Sequence, residues 1–231
     1  MRSNYKVPFR NEEAIATLAL QCRRDAENEN LARFNIIEFV EHVLPRVLKR
    51  LKKGTLEIEL FSACGDEKLA KVILRQGKAP ILRVDKEIWD LAVLGEPDAK
   101  FIIAHEVGHL VLHDHYAQAF SIGPVEQGKF VQEEEQSEWQ ANTFASYFLI
   151  PRRVLAAFPT SEELARCCEV PRWLSDQRFA AALEEQRRSE RRVRAKAYTG
   201  DSCGDCGSFT MLPDGIFLRC DTCGKSTKYV A

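Results

Sequence analysis

Residues 105–109 read His-Glu-Val-Gly-His, an HExxH motif, within a stretch from about Ala99 to His113 whose apolar pattern is helical. Positions four apart share one face of a helix, so His105 and His109 can both reach one zinc ion. Glu106 lies next to them, where its carboxylate could take a proton from a metal-activated water. The surrounding residues are apolar, so the helix should be buried, and buried histidines need a partner. The motif therefore predicts a catalytic zinc site with Glu106 as the base.

A catalytic zinc ion needs a third protein ligand, and Glu138 is the predicted one. It begins a stripe of small and apolar residues on the helix predicted over residues 132–150, where a carboxylate needs a cation. A second interpretation is that Glu138 only ends the acidic surface begun before it, and Glu134 or Glu135 is then the alternative ligand. His115 has the spacing of a third metzincin ligand, but leucine stands where metzincins place a glycine.

Two more polar residues are predicted to support the ligands. Asn142 lies one turn after Glu138 and could accept a hydrogen bond from the N–H of a ligating histidine. His113 lies two turns past His105, too far along the helix to share the ion, and is assigned a supporting or core position. Attack of a metal-activated water on a carbonyl group would create a tetrahedral oxyanion, and the sequence shows no clear hydrogen-bond donor to stabilise it. The possible donors are His113, His115 and Tyr116.

Together, HEVGHLVLH at residues 105–113 and EWQANTFASYFLIP at residues 138–151 resemble the ImmA/IrrE family of metallopeptidases. The resemblance extends over about residues 30–183. It implies a gluzincin-like arrangement, in which the third zinc ligand comes from a second helix. Residue by residue, it implies the zinc ligands His105, His109 and Glu138 and the catalytic base Glu106.

The resemblance also implies how a substrate binds and what it is. A strand is predicted at residues 80–84, before the active-site helix, and in gluzincin-like folds such an edge strand pairs with the extended substrate backbone. Family members often cleave a helix-turn-helix repressor or an antitoxin. The expected function is therefore a zinc endopeptidase acting on a regulatory protein.

Four cysteines near the end of the sequence form two CxxCG knuckles: Cys203, Cys206, Cys220 and Cys223. Four thiolates close a tetrahedral shell, so they predict a second, structural zinc ion in a zinc ribbon. A module of about 30 residues buries too little apolar surface, so metal binding must supply on the order of 10 kcal/mol of its folding free energy. Phe209, Phe217 and Tyr229 are expected to fill its small core.

The whole pattern predicts an α+β fold: a mostly helical domain with a sheet of about three strands, followed by a small β zinc-ribbon module. The strands are expected at residues 56–60, where alternation indicates a half-buried strand, 71–75 and 80–84. The predicted divisions are a metallopeptidase domain at 1–183, a charged linker or helix at 184–200 and the zinc ribbon at 201–231.

Composition narrows the possible functions further. The 33 Lys and Arg residues nearly balance 34 Asp and Glu, which excludes wholesale attraction to nucleic acid. The basic run from Arg187 to Lys196 still allows local contact with phosphates. No long apolar run or secretory signal is evident, so a cytoplasmic protein without a membrane partner is expected. The alternative function is a non-catalytic regulatory module that binds protein or nucleic acid through the ribbon and the basic helix.

Overall fold

The computed structural model describes residues 5–64, 69–114 and 132–228. The chain divides into two compact units, Met1–Phe179 and Ala180–Ala231. Helices dominate the first unit, and each unit contains a three-stranded sheet, which confirms the predicted α+β class. The predicted three-part division, with a linker at 184–200, stays a prediction.

Nine α-helices are present in the described residues, and hydrogen-bonding side chains begin several of them. Asn11, for example, accepts a hydrogen bond from the backbone N–H of Ala14, and Asp85 accepts from that of Glu87. The helices are α1 (Glu12–Asp25), α2 (Ile36–Glu38), α3 (Leu44–Arg50), α4 (Lys86–Val93), α5 (Pro97–Leu112), α6 (Ser137–Leu149), α7 (Arg152–Leu155), α8 (Ser161–Cys168) and α9 (Arg172–Ala197).

Pro45 shapes the helical stretch that follows α1. A π-helical turn, Phe39–Val43, separates α2 from α3, and Pro45 lies in the first turn of α3, where its missing N–H is not needed. The helix ends at Arg50 and Lys52 adopts a left-handed conformation with φ of 60°.

The sheet of the first unit contains β1 (Glu57–Phe61), β2 (Ala70–Ile73) and β3 (Ile81–Asp85) in the order β1-β3-β2. Strand β3 is central, parallel to β1 and antiparallel to β2. The expectation that residues 80–84 form the edge strand is therefore wrong, because both sides of β3 are already paired. The edge strand that lies along the candidate site is β2.

Strand β1 also differs from its prediction, because the face that carries its apolar side chains is not buried. Ile58 is 39% exposed and Leu60 is 45% exposed, whereas Leu82 and Val84 of the central strand are fully buried. Alternation correctly shows which residues share a face. It does not show whether helices cover that face, and here the cover is concentrated on β3.

Helices α5 and α6 pack closely at Gly108. A Cβ atom at Gly108 would lie 3.0 Å from the carbonyl oxygen of Ala141 and 3.3 Å from Cβ of Phe144. The side chains of Ala141 and Phe144 are fully buried. The small residue in the middle of the HExxH motif thus lets the two helices that carry the predicted ligands come together.

The sheet of the second unit is antiparallel and consists of β4 (Met211–Asp214), β5 (Phe217–Cys220) and β6 (Ser226–Lys228). Its buried apolar cluster contains Cys203, Met211, Leu218 and Cys220. The predicted aromatic core is wrong for Phe209 and Phe217, which are 66% and 43% exposed, and Tyr229 lies outside the described residues. The sulfur atoms and two aliphatic side chains fill the space that the aromatic rings were expected to fill.

In the part of the chain that the structure describes, no helix combines the length and apolar composition that a bilayer crossing requires.

Candidate metal centre

The three predicted ligands of the catalytic site lie together. Helix α5 contributes His105 and His109, and the first turn of α6 contributes Glu138. The two carboxylate oxygens of Glu138 lie 3.3 Å from Nε2 of His105 and 3.6 Å from Nε2 of His109. One donor atom from each residue falls within 4.8 Å of the other two, which is the size of a metal coordination shell.

Asn142 sets the tautomer of His105. Its Oδ1 atom lies 2.8 Å from Nδ1 of His105, and this oxygen can only accept, so Nδ1 carries the proton. The lone pair of His105 is then on Nε2, which faces Glu138 and His109. Asn142 thus has the supporting position predicted for it.

His109 is oriented by a longer relay through His113 and Gln140. The side-chain amide N–H₂ of Gln140 donates to the carbonyl oxygens of Pro8 and Glu134, at 2.8 and 2.6 Å. Its Oε1 must therefore accept from Nε2 of His113, 3.2 Å away, which leaves the lone pair of His113 on Nδ1. That lone pair accepts from Nδ1 of His109 at 3.0 Å. The lone pair of His109 is consequently on Nε2.

Burial keeps His113 neutral in this relay. The ring is 2% exposed, and burial lowers the pKa of His113 to about 3, against a smaller opposing effect of Gln140. A neutral His113 supplies one acceptor and one donor, which is what the relay requires. His113 lies at the C-terminal end of α5, hydrogen-bonded to His109, and does not itself belong to the group of three candidate ligands.

The paired lone pairs show that the residues fit a metal ion. The Nε2 atoms of His105 and His109 face each other at 3.0 Å, and the hydrogen bonds above place a lone pair on each. Two lone pairs beside a carboxylate are favourable only around a cation. Burial alone would lower the pKa of His105, but the hydrogen bond to Glu138 and the charges of Glu106 and Glu138 outweigh it and raise the pKa. The pocket thus favours positive charge.

Glu106 lies on the wall of a cavity of about 300 Å³ that the three candidate ligands also line. The remaining wall comes from the start of α5, from Asn142, from the edge of β2 and from Tyr5. A carboxylate beside a candidate metal position, open to such a cavity, is placed to exchange protons with a bound water. No motif or period in the sequence points to Tyr5.

Among the described residues, the alternative ligands Glu134 and Glu135 do not belong to the group formed by His105, His109 and Glu138. Glu135 forms an ion pair with Lys6, with N and O 3.1 Å apart, and both Glu134 and Glu135 accept backbone hydrogen bonds through their carbonyl oxygens. They lie on a 3₁₀ turn, Glu133–Glu135, before α6. His115 and Tyr116 lie outside the described residues.

The four cysteines of the second unit also converge. Sγ of Cys203 lies 3.7 Å from Sγ of Cys223, and Sγ of Cys206 lies 3.6 Å from Sγ of Cys220. A disulfide requires about 2.05 Å, whereas sulfurs around one tetrahedral zinc ion, at Zn–S of about 2.3 Å, are about 3.8 Å apart. The group is therefore compatible with a closed structural zinc site.

The two knuckles repeat one backbone pattern. In the first knuckle, Cys203 N–H donates to the carbonyl of Ser208, and Gly207 N–H donates to the carbonyl of Cys203. In the second knuckle, Cys220 N–H donates to the carbonyl of Lys225, and Gly224 N–H donates to the carbonyl of Cys220. Both glycines have positive φ, 72° and 75°, as their turns require. The backbone N–H of Cys223 and the hydroxyl of Thr210 lower the pKa of Cys220 to about 6, which favours the thiolate that binds metal.

Comparison with known proteins supports the first site. Residues 92–170 match the family Peptidase_M78, described as an IrrE N-terminal-like domain, and this range contains Glu106 and all three candidate ligands. The chain is also 48% identical over 42 residues to the vitamin B12-dependent ribonucleotide reductase of Bradyrhizobium diazoefficiens. It is 43% identical over 44 residues to that of Agrobacterium fabrum.

These segments cover 17% and 18% of this chain but only 3% and 4% of the two reductases, so the similarity to them is local. The peptidase match is about a third of the chain and contains the complete HExxH motif. Residues 92–170 therefore support a relationship to the ImmA/IrrE family and a metallopeptidase-type function.

Proposed function

We propose that this protein is a zinc-dependent endopeptidase whose catalytic zinc ion is held by His105, His109 and Glu138. The observation that carries the proposal is the pair of imidazole lone pairs 3.0 Å apart beside Glu138, open to the cavity that contains Glu106. Three protein ligands facing a cavity leave a position for water and substrate, which distinguishes a catalytic site from a structural one.

Each residue of the site has a chemical task in peptide hydrolysis. A zinc ion bound there would polarise the scissile carbonyl and lower the pKa of a water molecule. Glu106 takes the proton from that water and then delivers it to the leaving amine. Asn142 and His113 hold the imidazoles in the tautomers that direct both Nε2 atoms at the metal position.

Strand β2 offers a place for the substrate backbone. It forms the wall of the cavity from Leu69 to Val72, and among the described strands it pairs only with β3. An extended peptide can add to such an edge through main-chain hydrogen bonds, with little dependence on sequence. A flexible loop or an unfolded segment of a protein is therefore a suitable substrate, and a folded helix is not.

The expected substrate is a regulatory protein such as a helix-turn-helix repressor or an antitoxin. The support for this class is the resemblance to the ImmA/IrrE family, so it is an analogy at the level of the family. The site itself supports a peptide substrate in extended conformation.

The proposal is tested on the full chain in two steps. Elemental analysis should find two zinc ions per chain, and His105→Ala should reduce the count to one, because the cysteine site remains. The zinc-loaded protein should cleave a mixed library of proteome-derived peptides, with products identified by mass spectrometry. Glu106→Gln should abolish cleavage and keep both zinc ions, whereas Glu133→Gln, on the exposed 3₁₀ turn, should cleave normally. Equal cleavage by the wild type and Glu106→Gln would refute the mechanism.

A second candidate function is binding of protein or nucleic acid by the ribbon, and the exposed aromatic residues of the second unit favour it. Phe209 is 66% exposed and Phe217 is 43% exposed, and Phe217 lies opposite Lys228 in the pairing of β5 with β6. Exposed aromatic and basic side chains within one small module are typical of nucleic-acid contacts. Binding of a single-stranded oligonucleotide should then weaken with salt and with Phe209→Ala, but not with Leu94→Ala in the other unit. Binding that is equal in both variants would exclude this surface.

A further inference from the structure

Tyr5 lies in the wall of the candidate active site, far in sequence from the residues that carry the peptidase match. Its backbone is fixed there by two hydrogen bonds with Ser137, the first residue of α6. Tyr5 N–H donates to the Ser137 hydroxyl at 3.1 Å, and Ser137 N–H donates to the Tyr5 carbonyl at 3.0 Å. The phenol is therefore tied to the helix turn that presents Glu138.

The chain after Tyr5 strengthens this attachment. Val7 N–H donates to the carbonyl of Glu135, and Arg10 N–H donates to that of Glu134. Pro8 accepts from the side chain of Gln140, which belongs to the relay that orients His109. Residues 5–10 thus form a strap along the start of α6, and Tyr5 is its end at the cavity.

The hydroxyl of Tyr5 has one near neighbour among the described residues, Nδ1 of His113, at 3.5 Å. That nitrogen has a single lone pair, and the 3.0 Å hydrogen bond from His109 already uses it. The O–H of Tyr5 consequently remains a donor for another acceptor. The Tyr5 ring packs edge to face against the His113 ring, with centroids 5.8 Å apart, and this contact holds the hydroxyl on the side of the cavity next to His113.

The surroundings keep this phenol protonated. Burial, with the charges of Glu138, Glu106 and Asp114, raises the pKa of Tyr5 above its ordinary value. Tyr5 lines the same cavity as the candidate ligand Glu138 and the candidate base Glu106. A neutral O–H beside them is suited to an acceptor that gains negative charge during the reaction.

We propose that Tyr5 is a catalytic residue that donates a hydrogen bond to the carbonyl oxygen of the scissile peptide as that oxygen becomes negative. The proposal rests on the proposed peptidase activity and supplies the oxyanion donor that the sequence did not reveal. No covalent bond to Tyr5 forms, and its proton stays on the phenol. Its effect is confined to the stage at which charge develops, so it should change kcat more than KM.

The test compares Tyr5→Phe with Tyr147→Phe in the zinc-loaded full chain. Both changes remove one phenolic hydroxyl, but that of Tyr147 donates to Glu12 at 2.7 Å, away from the cavity. The probe is a quenched fluorescent peptide built on a sequence that the wild type cleaves in the mixed library. We expect Tyr5→Phe to lower kcat by about 10²–10³-fold, the usual effect of losing one oxyanion donor, with KM within about twofold. Tyr147→Phe should behave as the wild type.

Two measurements besides turnover separate a donor from a structural support. The zinc content and zinc affinity of Tyr5→Phe should equal those of the wild type, because the ligands and their relay remain. A phosphinic analogue of the probe peptide has phosphinyl oxygens that imitate the oxyanion, and by calorimetry it should bind Tyr5→Phe at least tenfold more weakly than it binds the wild type. The intact probe peptide should bind equally well to the Glu106→Gln protein and to the double variant that also carries Tyr5→Phe.

Each outcome decides between the proposals. Full activity of Tyr5→Phe together with inactive Glu106→Gln would overturn the role of Tyr5 and leave the peptidase proposal in place. Loss of zinc from Tyr5→Phe would also overturn it, because Tyr5 would then act by holding His113. If the zinc-loaded wild type cleaves no peptide, the peptidase proposal fails and this one fails with it.

Discussion

Gly108 faces Ala141 so closely that a methyl group would fit between the two helices carrying the candidate ligands only if they moved apart by a few tenths of an ångström. A Cβ atom at position 108 would lie 3.1 Å from Cα of Ala141 and 3.0 Å from its carbonyl oxygen. Because backbone atoms cannot rotate away, the helices must separate to admit it. The distances from His105 and His109 to Glu138, 3.3 and 3.6 Å, depend on this contact.

Gly108→Ala should therefore weaken zinc binding at the His-His-Glu site by at least tenfold. We also expect the free energy of unfolding to fall by about 1–3 kcal/mol, as for other overpacked cores. Alanine is favoured over glycine in helices by about 1 kcal/mol, so any net loss reports the clash. Chelator competition and urea unfolding measure the two effects. Gly204→Ala is the control, since nothing lies within 4 Å of its Cβ position. Zinc affinity equal to that of the wild type would show that α5 and α6 adjust without moving the ligands.

Gln140 is expected to control the metal site without touching the metal. Gln140→Leu removes the acceptor for His113 Nε2–H, so His113 can take the other tautomer and His109 loses its fixed proton. Loss of such a supporting partner typically lowers metal affinity by about 10–100-fold. Gln21→Leu, which removes an exposed bond to Asp25, is the matched control. A Gln140→Leu protein with unchanged zinc affinity would exclude the relay.

The sequence was sufficient for the parts of the fold that depend on local pattern. The apolar run around His105 predicted α5, and the CxxCG spacing predicted both knuckles. In each case a side-chain period or a turn residue is itself the physical cause of the structure. These elements also bring the candidate ligands together, so the residues that converge at the two candidate metal sites were predictable.

Features that depend on contacts distant in sequence were not predictable. Tyr5 meets His113 across 108 residues, and no period or motif signals such a contact. The order of the strands, which makes β2 the edge strand, depends on pairing rather than on the pattern of any single strand. Helix α4 begins directly after Asp85, the last residue of β3, and the sequence does not reveal where it starts because no glycine or proline separates strand from helix.

The stability of the first unit should depend on pH because of Lys53. Its Nζ atom donates to the carbonyl oxygens of Leu110, at 2.9 Å, and His113 at the C-terminal end of α5. Burial lowers the pKa of Lys53 to about 8, against a smaller opposing effect of Asp114. Between pH 8 and about 10.4, the ordinary pKa of lysine, the unfolded chain binds more protons than the folded one, so stability should rise with pH there.

Lys53→Met should remove this rise. From pH 7.5 to 10.5 the wild type should gain about 2–3 kcal/mol of unfolding free energy relative to Lys53→Met. The gain follows from about 1.4 kcal/mol for each pH unit over which the folded and unfolded chains differ by one proton. Lys52→Met, at the exposed neighbouring position, should follow the wild type at every pH. Urea unfolding across this range tests the prediction, and a difference independent of pH would show that the pKa of Lys53 is ordinary.

The ribbon should depend for its stability on an aliphatic side chain and not on its exposed aromatic ring. Met211 is 2% exposed and packs with Leu218 and the buried cysteines, whereas Phe209 is 66% exposed. Met211→Ala should therefore cost the second unit about 2 kcal/mol or more, as for other large-to-small core changes, and Phe209→Ala should stay within about 0.5 kcal/mol. Hydrogen–deuterium exchange of the segment 199–228 in the full zinc-loaded chain reports these local changes. If Phe209→Ala accelerated exchange as much as Met211→Ala, the ring would belong to the core and could no longer be assigned to a binding surface.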